Sequence, residues 1–277
     1  MVEIGLIIPP DAPPERFLTV AAAAEEAGVP QLWLWEDCFA ESALAPAAAI
    51  LARTQRLRVG IGLLPVPLRT VALTAMELAT LDRMFPGRLL PGIGHGVLDW
   101  MGQAGVRAAS PLTLLREYAV ALRRILAGEE VTTTGRYVTL DRVALRHPPL
   151  SPQLRAPLLV GAEGPKTLAL AGEVGDGLIF TGGTTPAQVR TGLAIAYAAR
   201  RASGLTTPLA AVVFHPVPHD TPAGRIAREV AAYAEAGATH VPVLALSPDG
   251  PPEGGDALVG FATTLATAIA VGTQASP

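Results

Sequence analysis

The chain has 277 residues, of which 50% are hydrophobic and 16% charged, and its formal net charge is −3 at pH 7. This composition provides for a sizeable core and excludes the basic surface typical of nucleic-acid binding. No apolar run is long enough to span a bilayer, and the amino terminus lacks a secretion signal. Because Cys38 is the only cysteine, no internal disulfide can form. We therefore expect a cytoplasmic protein whose partner is a small-molecule substrate, with no nucleic acid and no membrane.

Apolar runs bounded by turn residues alternate with stretches of helical periodicity from the amino terminus onward. In chain order, the first half is predicted to contain strand 2–9, helix 14–28, strand 31–35, helix 42–55, strand 59–64, helix 68–81, a strand that ends within 92–96, and helix 111–128.

The alternation is interrupted at 131–145, where Thr134 and Gly135 separate two runs rich in Thr, Val and Tyr. This pattern predicts a small β-hairpin. Because it falls in a helix-to-strand connection, we expect it to lie away from the active face of a barrel and to serve stability. The alternation resumes with strand 157–161, helix 165–175, strand 177–180, helix 186–203, strand 209–214, helix 221–237, strand 240–246 and helix 257–271.

Eight strands alternating with eight helices, without a linker-like segment, predict an α/β fold of the (β/α)8 TIM-barrel type. We predict a single domain over 1–277, with the hairpin inserted between the fourth helix and the fifth strand. An open doubly wound sheet is the alternative, and the count of eight strands favours the barrel.

Glycine is concentrated at the carboxyl ends of the third and fourth predicted strands. Gly60 and Gly62 lie inside an apolar strand, and Gly94 and Gly96 end the next one. Glycine within a strand usually marks a bulge or the close approach of a ligand to the backbone. Since function in a barrel belongs to the loops that follow the strands, these two strand ends predict the floor of a pocket for a flat ligand.

The loop after the fifth predicted strand is the best candidate for an anion site. It consists of Gly161, Ala162, Glu163, Gly164, Pro165 and Lys166. Because the loop opens a helix, its free backbone N–H groups lie at the positive end of the helix dipole. Lys166 adds positive charge, and Glu163 can point outward. A plain turn is the alternative, and phosphate sites in barrels more often follow strands seven and eight.

Polar side chains at other strand ends are the candidates for catalysis. Glu36 and Asp37 close the second strand, and neighbouring side chains on a strand face opposite ways. Only one of them can face the pocket, and we favour Asp37; the alternative is that both cap the next helix or lie in water. His95, flanked by two glycines, is the histidine that we expect to line the pocket. Cys38 has no His or Lys beside it to lower its pKa, so packing explains it better than nucleophilic chemistry.

Several common barrel chemistries find no support in these loops. There is no His-x-His pair or similar cluster, so we predict no metal site. Lys166 follows a proline at a helix start, which is a poor place for a Schiff-base lysine. A Gly-x-Ser-x-Gly hydrolase motif is absent. Aromatic core positions explain Trp33 and Trp35, whereas Trp100 is a candidate for a lid or pocket wall.

In their order and spacing, four stretches of the chain resemble the luciferase-like superfamily of flavin and deazaflavin oxidoreductases, in particular its methylenetetrahydromethanopterin reductase branch. They are residues 21–37, 57–63, 78–96 and 161–177. The resemblance implies a hydride passed between a substrate and an isoalloxazine-like ring at the carboxyl face of the barrel, and it is compatible with a homodimer. It implies a cis peptide bond at Gly62-Leu63 beneath the ring and the cofactor phosphate on loop 161–166. Thr181 and Gly182, after the sixth strand, complete the predicted cofactor-binding set.

The chain also departs from that family pattern. Many deazaflavin members have Asp-His where this chain has Asp37-Cys38, and some carry a catalytic Glu where His95 and Val97 stand here. The proton donor therefore stays open between Asp37 and His95. We expect an oxidoreductase that uses coenzyme F420, with an FMN-dependent enzyme as the alternative. A non-catalytic barrel that binds a flavin or a partner is the third hypothesis.

Overall fold

A computed structural model describes residues 2–150, 156–250, 252 and 254–274. The strands are β1 (Glu3–Ile8), β2 (Gln31–Leu34), β3 (Arg58–Pro65), β4 (Leu89–Gly94), β5 (Val131–Thr134), β6 (Thr139–Val143), β7 (Leu159–Gly161), β8 (Gly177–Phe180), β9 (Ala210–Val213), β10 (His215–Pro218) and β11 (His240–Leu246). The helices are α1 (Phe17–Ala27), α2 (Leu44–Arg53), α3 (Val71–Met84), α4 (Leu98–Gln103), α5 (Pro111–Leu126), α6 (Pro165–Val174), α7 (Pro186–Ala202), α8 (Ala223–Glu235) and α9 (Ala257–Gln274).

The main sheet closes on itself. Its strand order is β1-β2-β3-β4-β7-β8-β9-β11, all parallel, and β1 pairs with β11 with Glu3 opposite His240. The seventh strand of the barrel is divided at Phe214 into β9 and β10. Strand β9 pairs with β8 and β11, whereas β10 pairs with β11. The prediction of a (β/α)8 barrel is confirmed, and the closing pair excludes an open doubly wound sheet.

Alternation along the strands divides the core into two parts. Inward-facing side chains fill the barrel, among them Ile7, Trp33, Leu90 and Phe214. Outward-facing side chains pack against the surrounding helices in a larger cluster. Because both faces of every strand are covered, the strands read as continuous apolar runs rather than as alternating ones. The upper end of the barrel filling forms the base of the site described below.

The predicted hairpin is present as the antiparallel pair β5–β6. Its path differs from our expectation, because the hairpin folds back along α5. Glu117 of α5 accepts hydrogen bonds from the backbone N–H groups of Arg136, Tyr137 and Val138 in the turn. The Tyr137 hydroxyl accepts a further bond from the Ser110 N–H at the start of α5, 2.7 Å away. The turn therefore reaches toward the face from which we expected it to be remote.

Helix boundaries differ from the predictions where polar contacts decide them. A short 3-10 turn at Val66–Leu68 precedes α3. Thr70 is the N-cap of α3, and its side chain accepts a hydrogen bond from the Leu73 N–H. Helix α2 begins at Leu44, because the Glu36 carboxylate accepts the Ala43 N–H in place of a Ser42 cap. Helix α4 was not predicted.

Within the described part of the chain, no helix combines the length and the apolarity needed to cross a bilayer.

Candidate active site

A cleft of about 460 Å³ opens at the carboxyl end of the barrel, between the ends of β2, β3, β4, β7 and β8. The residues of its wall that the sequence had singled out for the site are Asp37, Gly62, Leu63, His95, Gly96, Gly161, Ala162, Glu163, Thr181 and Gly182. The remaining predicted residues, Gly60, Gly94, Gly164, Pro165 and Lys166, lie outside this wall. A volume of this size is in the range of small-ligand sites, which are about 300–1,000 Å³.

The floor of the cleft consists of apolar side chains rather than bare backbone, which corrects our interpretation of the glycines. Leu63 lies across two strand ends: a Cβ at Gly94 would be 2.5 Å from it, and one at Gly161 would overlap it. A Cβ at Gly62 would overlap the Phe214 ring. The glycines therefore make room for Leu63 and Phe214, and these two side chains form the surface on which a flat ligand could rest. The Gly62-Leu63 peptide bond is cis, as the resemblance implied.

Gly60 is glycine for a different reason from the one the sequence suggested. A Cβ at this position would overlap the indole of Trp33, which fills the barrel one layer below the cleft. Gly60 is thus required by core packing and does not reach the cleft. This is a correction to its assignment as a cofactor-binding residue.

The loop that follows β7 brings the start of α6 to the edge of the cleft. Helix α6 has Gly164 as its N-cap and no capping side chain, whereas α7 is closed by the Thr185–Gln188 capping box. Glu163 does not point away from the site: it accepts a hydrogen bond from the Thr181 hydroxyl, 2.8 Å away, and borders the cleft. Lys166 is exposed on the first turn of the helix.

A second groove of about 570 Å³ continues the cleft outward between α6 and α7. The two cavities share Ala162, Glu163, Thr181 and Gly182. Pro165 belongs to the wall of this groove rather than to that of the cleft. A ligand with a flat head and an extended polar tail could occupy the two cavities together.

The two adjacent carboxylates at the end of β2 have different partners. Glu36 is 8% exposed and forms an ion pair with Arg69, whose Nη2 lies 2.6 Å from Oε2. The same oxygen accepts the Ala43 N–H, so Glu36 holds the start of α2. Asp37 has no such partner among the described residues. Both residues belong to the cleft wall, although we expected only one of them to face the pocket.

Burial changes the acidity of the Asp37 carboxyl. Removal from water raises the pKa of its carboxyl, and the negative charge of Asp11 raises this pKa further. Burial, followed by the charges of Glu36 and Asp37, also raises the pKa of the Cys38 thiol. Because a raised pKa disfavours the thiolate, Cys38 is a poor nucleophile. This agrees with our interpretation of Cys38 as a packing residue.

His95 lies in the cleft wall with its ring orientation set by the backbone. Its Nδ1 is 2.7 Å from the carbonyl oxygen of Gly96. Since a carbonyl can only accept, Nδ1 carries the hydrogen, and Nε2 of the neutral ring is an acceptor. In this tautomer Nε2 can only accept a hydrogen bond.

Sequence reasoning missed part of the wall. Val97 and Leu98 reach the cleft from the start of α4, and Trp35 and Phe214 complete its inner end. Trp100, which the sequence indicated as a candidate for a lid or pocket wall, also belongs to the wall. Trp35 had been assigned to the core. The signal available for α4 was its apolar content directly after a glycine-rich strand end, and Trp100 was singled out on that ground. Phe214 carried no local signal.

Two of the other histidines have structural partners. His215 lies 2.8 Å from Glu229 and packs edge-on against Tyr233, and it is not in the cleft wall. His240 is at the opposite end of the barrel, where Nδ1 contacts the Thr239 hydroxyl. In the described ranges of the chain, no group of His, Cys, Asp and Glu side chains could hold a metal ion.

The chain belongs to the luciferase-like monooxygenase family, whose model matches residues 2–249. It is 28% identical over 176 residues to a 5,10-methylenetetrahydromethanopterin reductase of Methanolobus tindarius, covering 64% of this chain and 53% of that protein. It is 31% identical over 187 residues to an F420-dependent glucose-6-phosphate dehydrogenase of Nakamurella multipartita, covering 62% and 54%. The chain thus spans about half the length of these curated relatives.

The fold has a close counterpart among solved structures. The F420-dependent tetrahydromethanopterin reductase of Methanopyrus kandleri superposes with a TM-score of 0.80 over 96% of this chain and 97% of that one, at 16% identity. At this identity the similarity concerns the fold alone. The expected relation to the methylenetetrahydromethanopterin reductase branch is confirmed at the level of the family and the barrel.

Proposed function

We propose that the protein is an oxidoreductase that transfers a hydride between the deazaflavin coenzyme F420 and a small organic substrate. The observation that carries the proposal is the continuity of the cleft: a flat apolar floor at Leu63 and Phe214 leads directly to the uncapped start of α6. A planar ring with an anionic tail matches this combination of surfaces. The names of the relatives support F420 as the coenzyme.

The residues present fit such a group. The floor and the wall at Trp35 and Trp100 would hold the ring, and the backbone N–H groups at the start of α6 would hold the phosphate, aided by the helix dipole. Lys166 would add long-range positive charge. When bound, F420 supplies two-electron hydride chemistry that no side chain of the cleft offers.

Asp37 is the residue that we propose to hold the proton that accompanies the hydride. Its raised pKa keeps a larger fraction of the carboxyl protonated near neutral pH than an exposed aspartate would have. His95, with Nδ1 turned to the backbone, is proposed to orient the substrate as a hydrogen-bond acceptor. The homodimer and the cytoplasmic location stay predictions of the sequence.

FMN is the alternative coenzyme, since the family is described as a luciferase-like monooxygenase family. Titration of the purified protein with F420 and with FMN, followed by fluorescence, ranks the two. We expect saturable binding of F420 that is tighter than that of FMN; the reverse order would favour the alternative. Binding of neither coenzyme would overturn the proposal and leave the non-catalytic barrel.

The anion site has its own test. Lys166→Ala is expected to weaken F420 about tenfold, which corresponds to about 1.4 kcal/mol, and to leave binding of the phosphate-free deazaflavin chromophore unchanged. Arg190→Ala, which removes an exposed cation from α7 outside both cavities, is the matched control and should change neither affinity. An equal loss of affinity for both ligands in the Lys166 variant would contradict the placement of the cofactor phosphate on this loop.

A further inference from the structure

Two tryptophans two residues apart face the inside of the barrel, and only one of them has a hydrogen-bond partner. Trp33 Nε1 donates to Gln31 Oε1 at 3.0 Å. Trp35 Nε1 is buried and has no acceptor among the described residues. Buried polar atoms in native proteins nearly always have a partner, so the exceptions call for an explanation.

The position of Trp35 supplies one. Trp33 lies in the layer below, covered by the barrel core, whereas Trp35 is part of the cleft wall. Its ring packs against Phe214, with the ring centroids 5.6 Å apart, so the indole is held in place by the floor of the cleft. A fixed donor without a partner beside a ligand cleft is the arrangement expected where the ligand provides the acceptor.

The charges of the cleft indicate what kind of acceptor this is. Within the described structure its wall contains no lysine or arginine, while Glu36, Asp37 and Glu163 are the acidic residues of the wall. The guanidinium of Arg69, which contacts Glu36 of this wall, is already paired with that carboxylate. An anionic group at the inner end of the cleft would meet negative charge without a compensating cation. The fitting acceptor is therefore an uncharged carbonyl or hydroxyl oxygen.

We infer that the indole N–H of Trp35 donates a hydrogen bond to an uncharged carbonyl or hydroxyl oxygen of the ligand at the inner end of the cleft. This inference rests on the proposed function, and the oxygen belongs either to the deazaflavin ring or to the substrate. The same geometry makes the protein selective for neutral substrates over anionic ones such as sugar phosphates or carboxylates.

The test compares Trp35→Phe with Trp33→Phe. Both replace an indole by a phenyl ring, at positions two residues apart in and directly after β2, but only Trp33→Phe removes a donor that the protein itself uses. We measure F420 affinity by fluorescence. Ligand-observed NMR measures the binding of cyclohexanone and of cyclohexanecarboxylate, which are similar in size and differ in charge. The unfolding temperature of the free protein is recorded for each variant.

We expect Trp35→Phe to weaken either F420 or cyclohexanone about tenfold while the unfolding temperature stays within a few degrees of that of the wild type. Loss of F420 affinity assigns the acceptor to the ring, and loss confined to the ketone assigns it to the substrate. Trp33→Phe removes a packing partner of Phe214 but no part of the cleft wall. It should lower the unfolding temperature and change both affinities by less than Trp35→Phe does. Cyclohexanecarboxylate should bind at least tenfold more weakly than cyclohexanone.

Other results overturn the inference. The donor role is wrong if Trp35→Phe binds F420 and cyclohexanone as tightly as the wild type does. It is also wrong if F420 affinity is unchanged and neither protein binds the ketone. If the carboxylate binds as tightly as the ketone, the selectivity for neutral ligands is wrong. Failure of the wild type to bind F420 or FMN is a different result, because it refutes the proposed function before any variant is compared.

Discussion

Adding one methyl group at Gly62 should disable the cleft without unfolding the barrel. In Gly62→Ala the new Cβ would overlap Phe214 Cζ and lie 3.1 Å from Cε2. Phe214 is 5% exposed and is held between Trp33 and Trp35, with ring centroids 5.8 and 5.6 Å away. The ring therefore has to shift toward the cleft, which is the side with free space.

The size of the effect follows from overpacking. An added methyl in a filled core costs about 1–3 kcal/mol. For a domain of this size each kcal/mol lowers the unfolding temperature by about 2–4 °C, so we expect a decrease of about 2–12 °C. When the Phe214 ring moves out of the floor into the cleft, the ligand loses its flat support. We therefore expect F420 binding, measured by fluorescence titration, to weaken by about tenfold or more.

The matched control is Gly177→Ala at the other end of the barrel. Its Cβ would lie 2.6 Å from the carbonyl oxygen of Ala210, so it should destabilise the protein to a similar degree. Because Gly177 begins β8 on the side away from the cleft, F420 affinity should be unchanged. If Gly62→Ala lost stability but bound F420 like the wild type, the floor that we assign to Phe214 would be wrong.

Three further predictions concern charge. Asp37→Asn should lower turnover about 10²–10⁴-fold with a substrate that needs a proton and should abolish the alkaline limb that its raised pKa creates in the pH–rate profile; a surviving limb would assign the proton to another group. Arg69→Met should lower the free energy of unfolding in urea by about 3–5 kcal/mol, because it leaves the Glu36 carboxylate buried without its partner. Adding Glu36→Gln should recover most of this loss, and no recovery would contradict the pairing. Burial, and then the charge of Arg58, lower the pKa of His240 from 6.5 to about 4, so the unfolded chain binds its proton first as the pH falls. Stability should therefore decrease from pH 6.5 toward pH 4, by at most about 3 kcal/mol, and His240→Asn should flatten this dependence; an identical slope in the variant would refute the assignment.

The path of the hairpin shows where prediction from sequence loses its basis. The runs around Thr134 and Gly135 indicated two strands and a turn, because β-propensity and turn chemistry act over a few residues. Its direction depends on Glu117, which lies 19–21 residues earlier and accepts three backbone N–H groups of the turn. No local pattern contains that contact. The same is true of the start of α2, which depends on Glu36 rather than on the adjacent Ser42.

Trp33 in β2 and Trp35 directly after it make the same point about the site. The sequence indicated core positions for Trp33 and Trp35 and favoured Asp37 over Glu36 as the residue that faces the pocket, whereas both acidic residues belong to the cleft wall. It could not tell that the first indole has an acceptor and the second has none, because Gln31 turns toward Trp33 while Phe214 comes from the seventh strand position.

The sequence by itself determined the alternation of strands and helices, hence the barrel, and the strand ends at which a site could form. Periodicity and turn residues are local, and they specify which side chains share a face. Only the tertiary structure decided what each glycine makes room for, since Leu63 and Phe214 reach those glycines across neighbouring strands. The stagger of a closed barrel sets which distant side chains meet at its mouth, and that register is a property of the whole sheet rather than of any one segment.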